Sequence, residues 1–229
     1  MEGGIRMASK GKHSQLRAGK RKDRNSKFAT RDPLLAYYLI VTDAEETEKN
    51  YFEGLRDSIP PEYRRRIVIH VETAKTTYNL VERTRELCSA QAQQRIPWIV
   101  FDRDQVKDFD GIIREAEENE IYAGWSNPCF EIWMMAYFGT MPAIPNSWTC
   151  IDRFRERFER ITGQKYEKND DSIFQKLNEY GDFEKAYRLA EQNLMRAIQD
   201  GKRPSEAYSA CTIHHLVREI EEKVKQVKP

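Results

Sequence analysis

Four short apolar runs alternate with amphipathic stretches in this chain, and this alternation constrains its fold more than any other feature. The runs cover residues 35–42, 67–72, 97–102 and 121–125. Such an alternation is typical of βαβ units wound on a parallel sheet. The run from Trp98 to Phe101 contains no polar residue, which favours a central strand buried on both faces. The sequence therefore predicts an α/β fold with a parallel sheet of about four strands flanked by helices.

After about residue 139 the strand pattern ends and helical periodicity replaces it. Residues 139–145 are predicted as a loop from their glycine and prolines. Helices are predicted over residues 148–161, 172–180, 183–200 and 207–225. The last one carries an apolar stripe, which indicates packing on a core. The stripe consists of Ile213, Leu216, Val217, Ile220 and Val224. We therefore expect an α/β domain over residues 33–138 and a helical region over residues 139–229 packed on it.

The charge of the chain is unevenly distributed. Residues 1–31 hold ten basic and two acidic side chains, a formal charge of +8, while the rest of the chain carries −7. A segment so rich in charge and so poor in apolar residues cannot offset the entropy of its own ordering. Residues 1–32 are therefore expected to form a disordered basic arm. Nucleic-acid phosphate is a natural partner; the alternatives are a solubilising tail or a leader from an upstream start, since Met7 could also initiate.

Several classes of protein are excluded. No stretch approaches the roughly 18 to 20 apolar residues of a membrane span, and no apolar segment follows the N-terminal positive charges, so a cytoplasmic protein without a membrane partner is expected. The four cysteines lie far apart without a C-x-x-C pair, which favours reduced thiols. The four histidines show no metal-ligand spacing either. The adjacent pair, His214 and His215, is expected to point to different sides of a helix.

Acidic residues follow three of the four predicted strands. In an open parallel sheet, ligands bind beyond the carboxyl ends of the strands. Asp102 and Asp104 end the third run, and if the chain stays extended for one more residue, both carboxylates leave the same side. That arrangement is typical of a divalent-metal site. The alternative is a loop pair that caps the next helix or forms an Asx-turn.

The acids after the first run have a structural explanation of their own. Thr42 with Glu45, or Asp43 with Glu46, matches a capping box for the helix that follows. Such a box satisfies backbone groups at the helix start and needs no metal.

The acid after the fourth run is not explained by capping. Asn127 is expected as the N-cap and Pro128 as the first residue of a helix. Glu131 then falls one position beyond the place that a capping box requires, although an acid in the first turn also favours the helix dipole.

Convergence of these acids on one place would require a counter-charge. Carboxylates about 4 Å apart repel by several kcal/mol per pair at an effective dielectric near 20. Protonation or a bound cation relieves that repulsion. Because the oxygen ligands come without histidine or cysteine, Mg²⁺ or Mn²⁺ is favoured over zinc.

The order of these motifs resembles that of the RloB-like family of bacterial proteins, which has a Toprim (topoisomerase-primase) fold. The matching segments are LIVTDAEETEKNYF (residues 39–52), IVFDRDQ (99–105), WSNPCFEIW (125–133) and, more loosely, YEKNDDSIF (166–174). The likeness covers about residues 35–225, and its most specific piece is SNPCFE. The predicted fold is therefore a Toprim-like sheet with a helical C-terminal half.

The resemblance implies a Mg²⁺-dependent or Mn²⁺-dependent nuclease in anti-phage defence. Its target would be RNA, with tRNA as one candidate, or DNA. Family members are encoded near restriction-modification or ATPase genes, so an ATPase of the AAA or ABC type is an expected partner. The residues with expected roles are Asp43, Asp102, Asp104 and Glu131 as metal ligands, Glu45 as a further ligand or proton shuttle, and Lys168 as a counter-charge for the phosphate. For Lys168 the alternative is a solvated loop lysine.

The chain departs from the family pattern in two places. Asp43 and Ala44 stand where the family motif C-E-G-E-K-T-E has glutamate and glycine, and residues 208–211 (YSAC) stand where the family tends toward N-P-S-T. The alternative function is therefore a catalytically degenerate module that binds nucleic acid or a partner ATPase. A third possible function is nucleotidyl transfer. Trp125, Tyr122 and Phe130 are expected in the core rather than stacked on bases.

Overall fold

The structure, a computed structural model, describes residues 34–43, 46–90, 93–104 and 106–227. The predicted basic arm over residues 1–32 lies outside the described residues, and so do Ala44 and Glu45. Within the described ranges, no helix is long and apolar enough to cross a bilayer.

A five-stranded sheet forms the centre of the molecule, in the order β2-β1-β3-β4-β5. The strands are β1 (Ala36–Thr42), β2 (Ile67–Thr73), β3 (Ile96–Asp102), β4 (Tyr122–Asn127) and β5 (Ala210–Cys211). The first four are parallel and coincide with the four apolar runs of the sequence. Only β5 is antiparallel, and it pairs with the end of β4. The predicted α/β fold with a parallel sheet of about four strands is thus confirmed, and the structure adds the short antiparallel β5.

Eight α-helices flank the sheet within the described residues. They are α1 (Thr47–Ser58), α2 (Leu80–Ser89), α3 (Phe109–Glu118), α4 (Glu131–Tyr137), α5 (Ser147–Thr162), α6 (Ile173–Tyr180), α7 (Phe183–Gln199) and α8 (Ile213–Val227). The last four make up the helical C-terminal half that the sequence predicts, and α4 lies before it. The apolar stripe of α8 is buried as expected, except for Val224, which is partly buried.

The predicted start of the last helix, at residue 207, is wrong. Residues 207–212 contain strand β5, and α8 begins only at Ile213. Ser209 has a positive φ of 61°, which an α-helix does not allow. The Thr212 hydroxyl accepts from the backbone N–H of Trp125 at 2.9 Å, which ties this segment to the edge of β4.

Side chains of the central strands alternate between two hydrophobic layers. Tyr38 and Ile40 of β1 face one layer, which also contains residues of α1, α4, α5, α6 and α8. Leu39 and Val41 face the other, which contains residues of α2 and α3. Helix α7 contributes to both layers. The period of two along a strand accounts for this division, and the helices on both faces leave the carboxyl edge of the sheet available for a site.

The aromatic and cysteine side chains largely follow expectation. Trp125 and Phe130 are buried in the two layers, as predicted. Tyr122 is 56% exposed, so its predicted core position is wrong; it lies at the start of β4 and stacks on Trp98 instead. All four cysteines are free, as the sequence indicates.

A glycine allows close packing between α1 and α6. A Cβ atom placed on Gly54 would lie 2.5 Å from the Cβ of Phe174. Inside a helix, alanine is normally more favourable than glycine by about 1 kcal/mol. We expect Gly54→Ala to destabilise the protein instead, by about 1 to 3 kcal/mol, because the added methyl group overlaps its neighbour. Denaturant unfolding measures this, and a neutral or stabilising change would contradict the packing.

Candidate metal site

The carboxyl ends of the parallel strands open into a cavity of about 610 Å³. Six acids line it, together with Lys168. The acids are Asp43, Glu46, Glu48, Asp102, Asp104 and Glu131. The structure therefore brings five of the six side chains singled out from the sequence to one place, and the sixth, Glu45, lies outside the described residues.

Asp102 is the last residue of β3 and is held by its neighbour in the sheet. It lies opposite Ser126 in the β3–β4 ladder, and the Ser126 hydroxyl donates to Oδ1 of Asp102. Because this serine is fully buried, it fixes the orientation of the carboxylate and leaves its second oxygen for the cavity.

Asp104 lines the cavity, but a turn positions it there and not the extended strand that the sequence predicts. The strand ends at Asp102, so the extended chain does not continue to Asp104, which lies in a turn. The backbone N–H of Asp104 donates to the carbonyl of Pro128 at 2.9 Å. The Ser147 hydroxyl donates to Oδ1 of Asp104 at 2.6 Å. Two contacts from other segments thus hold an exposed carboxylate at the mouth of the cavity.

Asp43 follows β1 directly and does not take part in a helix cap. Helix α1 has Glu46 at its N-cap, with no side-chain hydrogen bond there, so the predicted capping boxes are wrong. Asp43 Oδ2 accepts instead from the Thr77 hydroxyl at 2.8 Å. The carboxylate is thereby free of the helix start and lies on the cavity wall.

Besides Glu46, which was interpreted only as part of a helix cap, sequence reasoning missed one buried acid of the cavity, Glu48. It lies in the first turn of α1, is only 4% exposed, and lines the cavity. Its Oε2 has no hydrogen-bond partner in the described part of the chain. A signal was present in the sequence, because Glu48 shares the apolar face of its helix with Phe52 and Leu55 at i+4 and i+7. An acid on such a face is buried, and burial without a partner is costly.

Glu131 begins helix α4 and is 2% exposed. The predicted helix start at Asn127 and Pro128 is wrong, because Asn127 belongs to β4 and pairs with Ala210 of β5. Oε1 of Glu131 accepts from the hydroxyl of Tyr166 at 2.9 Å. This bond connects the start of α4 to the loop before α6.

The same loop places Lys168 at the cavity. The Thr47 hydroxyl lies 3.4 Å from the Tyr166 hydroxyl and donates to the backbone carbonyl of Lys168 at 3.3 Å. The lysine is exposed, yet it lines the cavity. Burial alone would lower its pKa, but the carboxylates of Glu131 and Glu48 outweigh this, and its pKa is raised.

Burial and mutual repulsion perturb the acids strongly. Burial raises the pKa of Asp43 to about 6, despite the opposing hydrogen bond from Thr77. Burial, with the charges of Asp43 and Glu131, raises the pKa of Glu48 to about 8. Burial also raises the pKa of Asp102 well above its usual range, and the charges of Glu48, Asp43 and Glu131 act in the same direction. The acids therefore interact electrostatically as one group.

No cation among the described residues pairs directly with this group. Among the described residues, neither the six acids nor Lys168 forms an ion pair within 4 Å. The atoms of these acids that could bind a metal ion are all oxygens. In the described part of the chain, the buried Oε2 of Glu48 has no hydrogen-bond partner. This chemistry fits Mg²⁺ or Mn²⁺, which prefer hard oxygen ligands.

The spacing of the acids is wider than the 4 Å considered from the sequence. Nowhere in the cavity, as far as the described residues extend, do three carboxylates offer oxygens within 4.8 Å of one another. Mg²⁺ usually keeps several waters and binds only one or two carboxylates directly. A spaced set of acids therefore remains compatible with such an ion.

The histidine pair differs from expectation. His214 and His215 were expected to point apart, but the Nε2 atoms of both lie 2.8 and 2.9 Å from the same Oε2 of Glu191. Their rings are 4.1 Å apart at the start of α8. In the described ranges, these three side chains form the one group whose ligand atoms lie within 4.8 Å of one another. They connect α7 and α8 and do not line the acid cavity.

Comparison with known proteins identifies the family. The family model described as RloB-like protein matches residues 38–220, a span that includes the acids of the cavity and Lys168. No curated protein and no solved structure matches the chain. Because the model covers more than half of its length, the chain belongs to the RloB-like protein family.

Proposed function

We propose that the protein is a nuclease that hydrolyses phosphodiester bonds with Mg²⁺ or Mn²⁺. The observation that carries this proposal is the group of acids in the cavity with which no described cation pairs, above all Glu48, which is buried with one oxygen that has no hydrogen-bond partner in the described part of the chain. A folded protein retains such a costly group where it holds a cation or performs chemistry.

The residues that would hold the cation are the four acids of the cavity that are not exposed. Asp102, Asp43, Glu48 and Glu131 offer the oxygens. When bound, the divalent ion polarises the phosphate and lowers the pKa of a coordinated water.

The surrounding hydroxyls orient these ligands. Ser126 holds one oxygen of Asp102, Thr77 holds one oxygen of Asp43, and Tyr166 holds one oxygen of Glu131. Each bond leaves the second oxygen of its carboxylate available. Partners of this kind set ligand orientation, and their loss typically costs about 10- to 100-fold in metal affinity or activity.

Lys168 and Glu48 have further roles in the proposal. Lys168, exposed at the cavity, would stabilise negative charge on the phosphate in the transition state. Glu48, with a pKa of about 8, keeps its proton at neutral pH while the cavity holds no cation, and cation binding releases that proton. Cation affinity should therefore increase with pH.

We extend the proposal to the biological role on the basis of the family resemblance. The nuclease would act in the cytoplasm against phage, on RNA, including tRNA, or on DNA. An ATPase of the AAA or ABC type would be its partner. Support for these points comes only from the likeness to the family.

A second candidate is a degenerate module that binds nucleic acid or an ATPase without cleaving. The wide spacing of the carboxylates and the shorter Asp43 in place of the family glutamate favour it.

A cleavage assay separates these candidates. The full chain is incubated with single-stranded RNA, tRNA and plasmid DNA in EDTA, Mg²⁺ or Mn²⁺. We expect cleavage of at least one substrate with Mg²⁺ or Mn²⁺ and none in EDTA. Cleavage that persists in EDTA contradicts the role of the cation. If all substrates remain uncleaved with both ions, this result contradicts the nuclease and favours the binding module.

A further inference from the structure

Exposed aromatic rings gather at the acid cavity. Among the described residues, five aromatic side chains are largely exposed: Tyr78, Tyr122, Trp148, Tyr180 and Tyr208. Tyr78, 61% exposed, lines the cavity itself. Trp148 and Tyr208, 76% and 54% exposed, line a groove next to it. Three of the five exposed rings therefore lie in the cavity or in the groove next to it.

The groove adjoins the cavity. It has a volume of about 230 Å³, and Asp104 lines both spaces. The hydrogen bond from Ser147 to Asp104 attaches the first turn of α5 to the mouth of the cavity. Trp148 follows Ser147 in this turn and lines the groove together with Asp104.

Basic side chains continue the same surface. Arg103 lines the groove and also a third pocket of about 390 Å³, which Lys107 and Arg114 line as well. In the part of the chain that the structure describes, none of these three pairs with an acid within 4 Å. Arg103 donates only to backbone carbonyls, those of residues 104 and 106.

Two other charged groups of this third pocket, Arg203 and Asp110, are already paired. Arg203 donates to Glu206 at 2.7 Å and lies 3.8 Å from Asp110. Asp110 also accepts from the hydroxyl of Ser205 at 2.6 Å. Asp108 is the remaining acid of the lining. In this third pocket, three unpaired cations thus lie beside one acid without a basic partner among the described residues, and the pocket favours an anion.

We propose that this surface binds a single strand of nucleic acid, with bases stacked on Trp148 and Tyr208 and phosphates on Arg103, Lys107 and Arg114. Isolated exposed rings next to basic side chains are the chemistry by which proteins bind unpaired strands. In a duplex the base faces are stacked on each other and cannot accept these rings. The identification of this strand as the substrate rests on the proposed nuclease function; the binding surface itself does not.

The chain offers a spectroscopic probe of this surface. Of its four tryptophans, Trp98, Trp125 and Trp133 are at most 5% exposed, whereas Trp148 is 76% exposed. Single-stranded oligonucleotides, RNA and DNA of mixed sequence, are titrated in EDTA so that no cleavage occurs. We expect them to quench the tryptophan fluorescence and a blunt duplex of equal length to quench it far less. Trp148→Phe should remove the quenching while a labelled oligonucleotide still binds.

Affinity measurements then assign the contacts. Trp148→Ala and Tyr208→Ala should each weaken single-strand binding, measured by anisotropy, at least about fivefold. Tyr122→Ala is the matched control, because Tyr122 is as exposed as Tyr208 but lies at the amino end of β4, away from the carboxyl ends of the strands. This variant should bind single strands with unchanged affinity. Arg103→Ala should weaken binding and reduce its salt dependence.

The outcomes distinguish this inference from the nuclease proposal. Equal affinity for duplex, the absence of single-strand binding, or an unchanged affinity of Trp148→Ala overturns the strand-binding surface. Single-strand binding that depends on Trp148 without cleavage in Mg²⁺ or Mn²⁺ supports the surface and overturns the nuclease. Cleavage that does not depend on Trp148 supports the nuclease and overturns the surface.

Discussion

Replacing Asp102 by asparagine is expected to lower Mg²⁺- or Mn²⁺-dependent cleavage by more than about a hundredfold. Even the loss of a partner of a metal ligand lowers metal affinity or activity about 10- to 100-fold. Asp102 ends β3, and a buried serine holds its carboxylate at the cavity. Asparagine keeps the size of the side chain and can still accept the hydrogen bond from Ser126. The loss should therefore reflect the missing charge rather than misfolding, and rates of cleavage measure it directly.

A second measurement on the same variant separates chemistry from structure. Without a divalent ion, Asp102→Asn should be at least as stable as the parent at pH 8, because it removes a charge that burial and three neighbouring carboxylates oppose. Asp200→Asn, an exposed position outside the cavity, serves as the control for activity. Unchanged cleavage by Asp102→Asn would show that the reaction occurs elsewhere or comes from a contaminant.

The stability of the protein without divalent ions should fall as the pH rises from about 4 to about 8. The pKa of Asp43 is raised from 3.8 to about 6 and that of Glu48 from 4.5 to about 8, so the folded state binds more protons than the unfolded state between these values. The stabilisation is complete below the unfolded pKa values and is lost as the pH rises through the folded ones. Thermal unfolding in EDTA across this range measures it.

A divalent ion should reverse this loss. At a concentration about 100 times its dissociation constant, an ion that binds only the folded state adds about 2.7 kcal/mol. For a chain of this size that corresponds to about 5 to 10 °C in Tm. We expect Mn²⁺ to raise Tm at pH 8 and to have little effect at pH 5. Glu48→Gln should flatten the pH dependence in EDTA, and a Tm in EDTA that rises between pH 5 and pH 8 would contradict the arrangement of acids.

The sheet could be predicted because its physical cause is local. Strands buried on both faces need continuous apolar runs, and the four runs of the sequence became β1 to β4. Strand β5 could not be found this way, because two residues embedded in a helix-like pattern carry no periodicity. Pairing with β4 replaces the helix there. This pairing joins residues far apart in the sequence, so no local pattern predicts it.

The candidate site could be predicted in part for the same reason. Asp102 and Asp104 follow a clear strand, and parallel topology brings strand ends together. Glu48 was missed because an acid in a first helical turn has an ordinary explanation through the helix dipole. Its burial depends on how α1 packs against the sheet and α6. The exposure of Trp148 is equally a tertiary property, since the same residue at a helix start can pack inward.

Anomalous diffraction from crystals soaked in Mn²⁺ at pH 8 is the most direct test of the central claim, that strand-end acids hold a divalent ion. We expect a peak inside the cavity, in contact with Asp102 and at least one of Asp43, Glu48 and Glu131. A peak only at Glu191, His214 and His215, or no peak at a concentration that raises Tm, would contradict it.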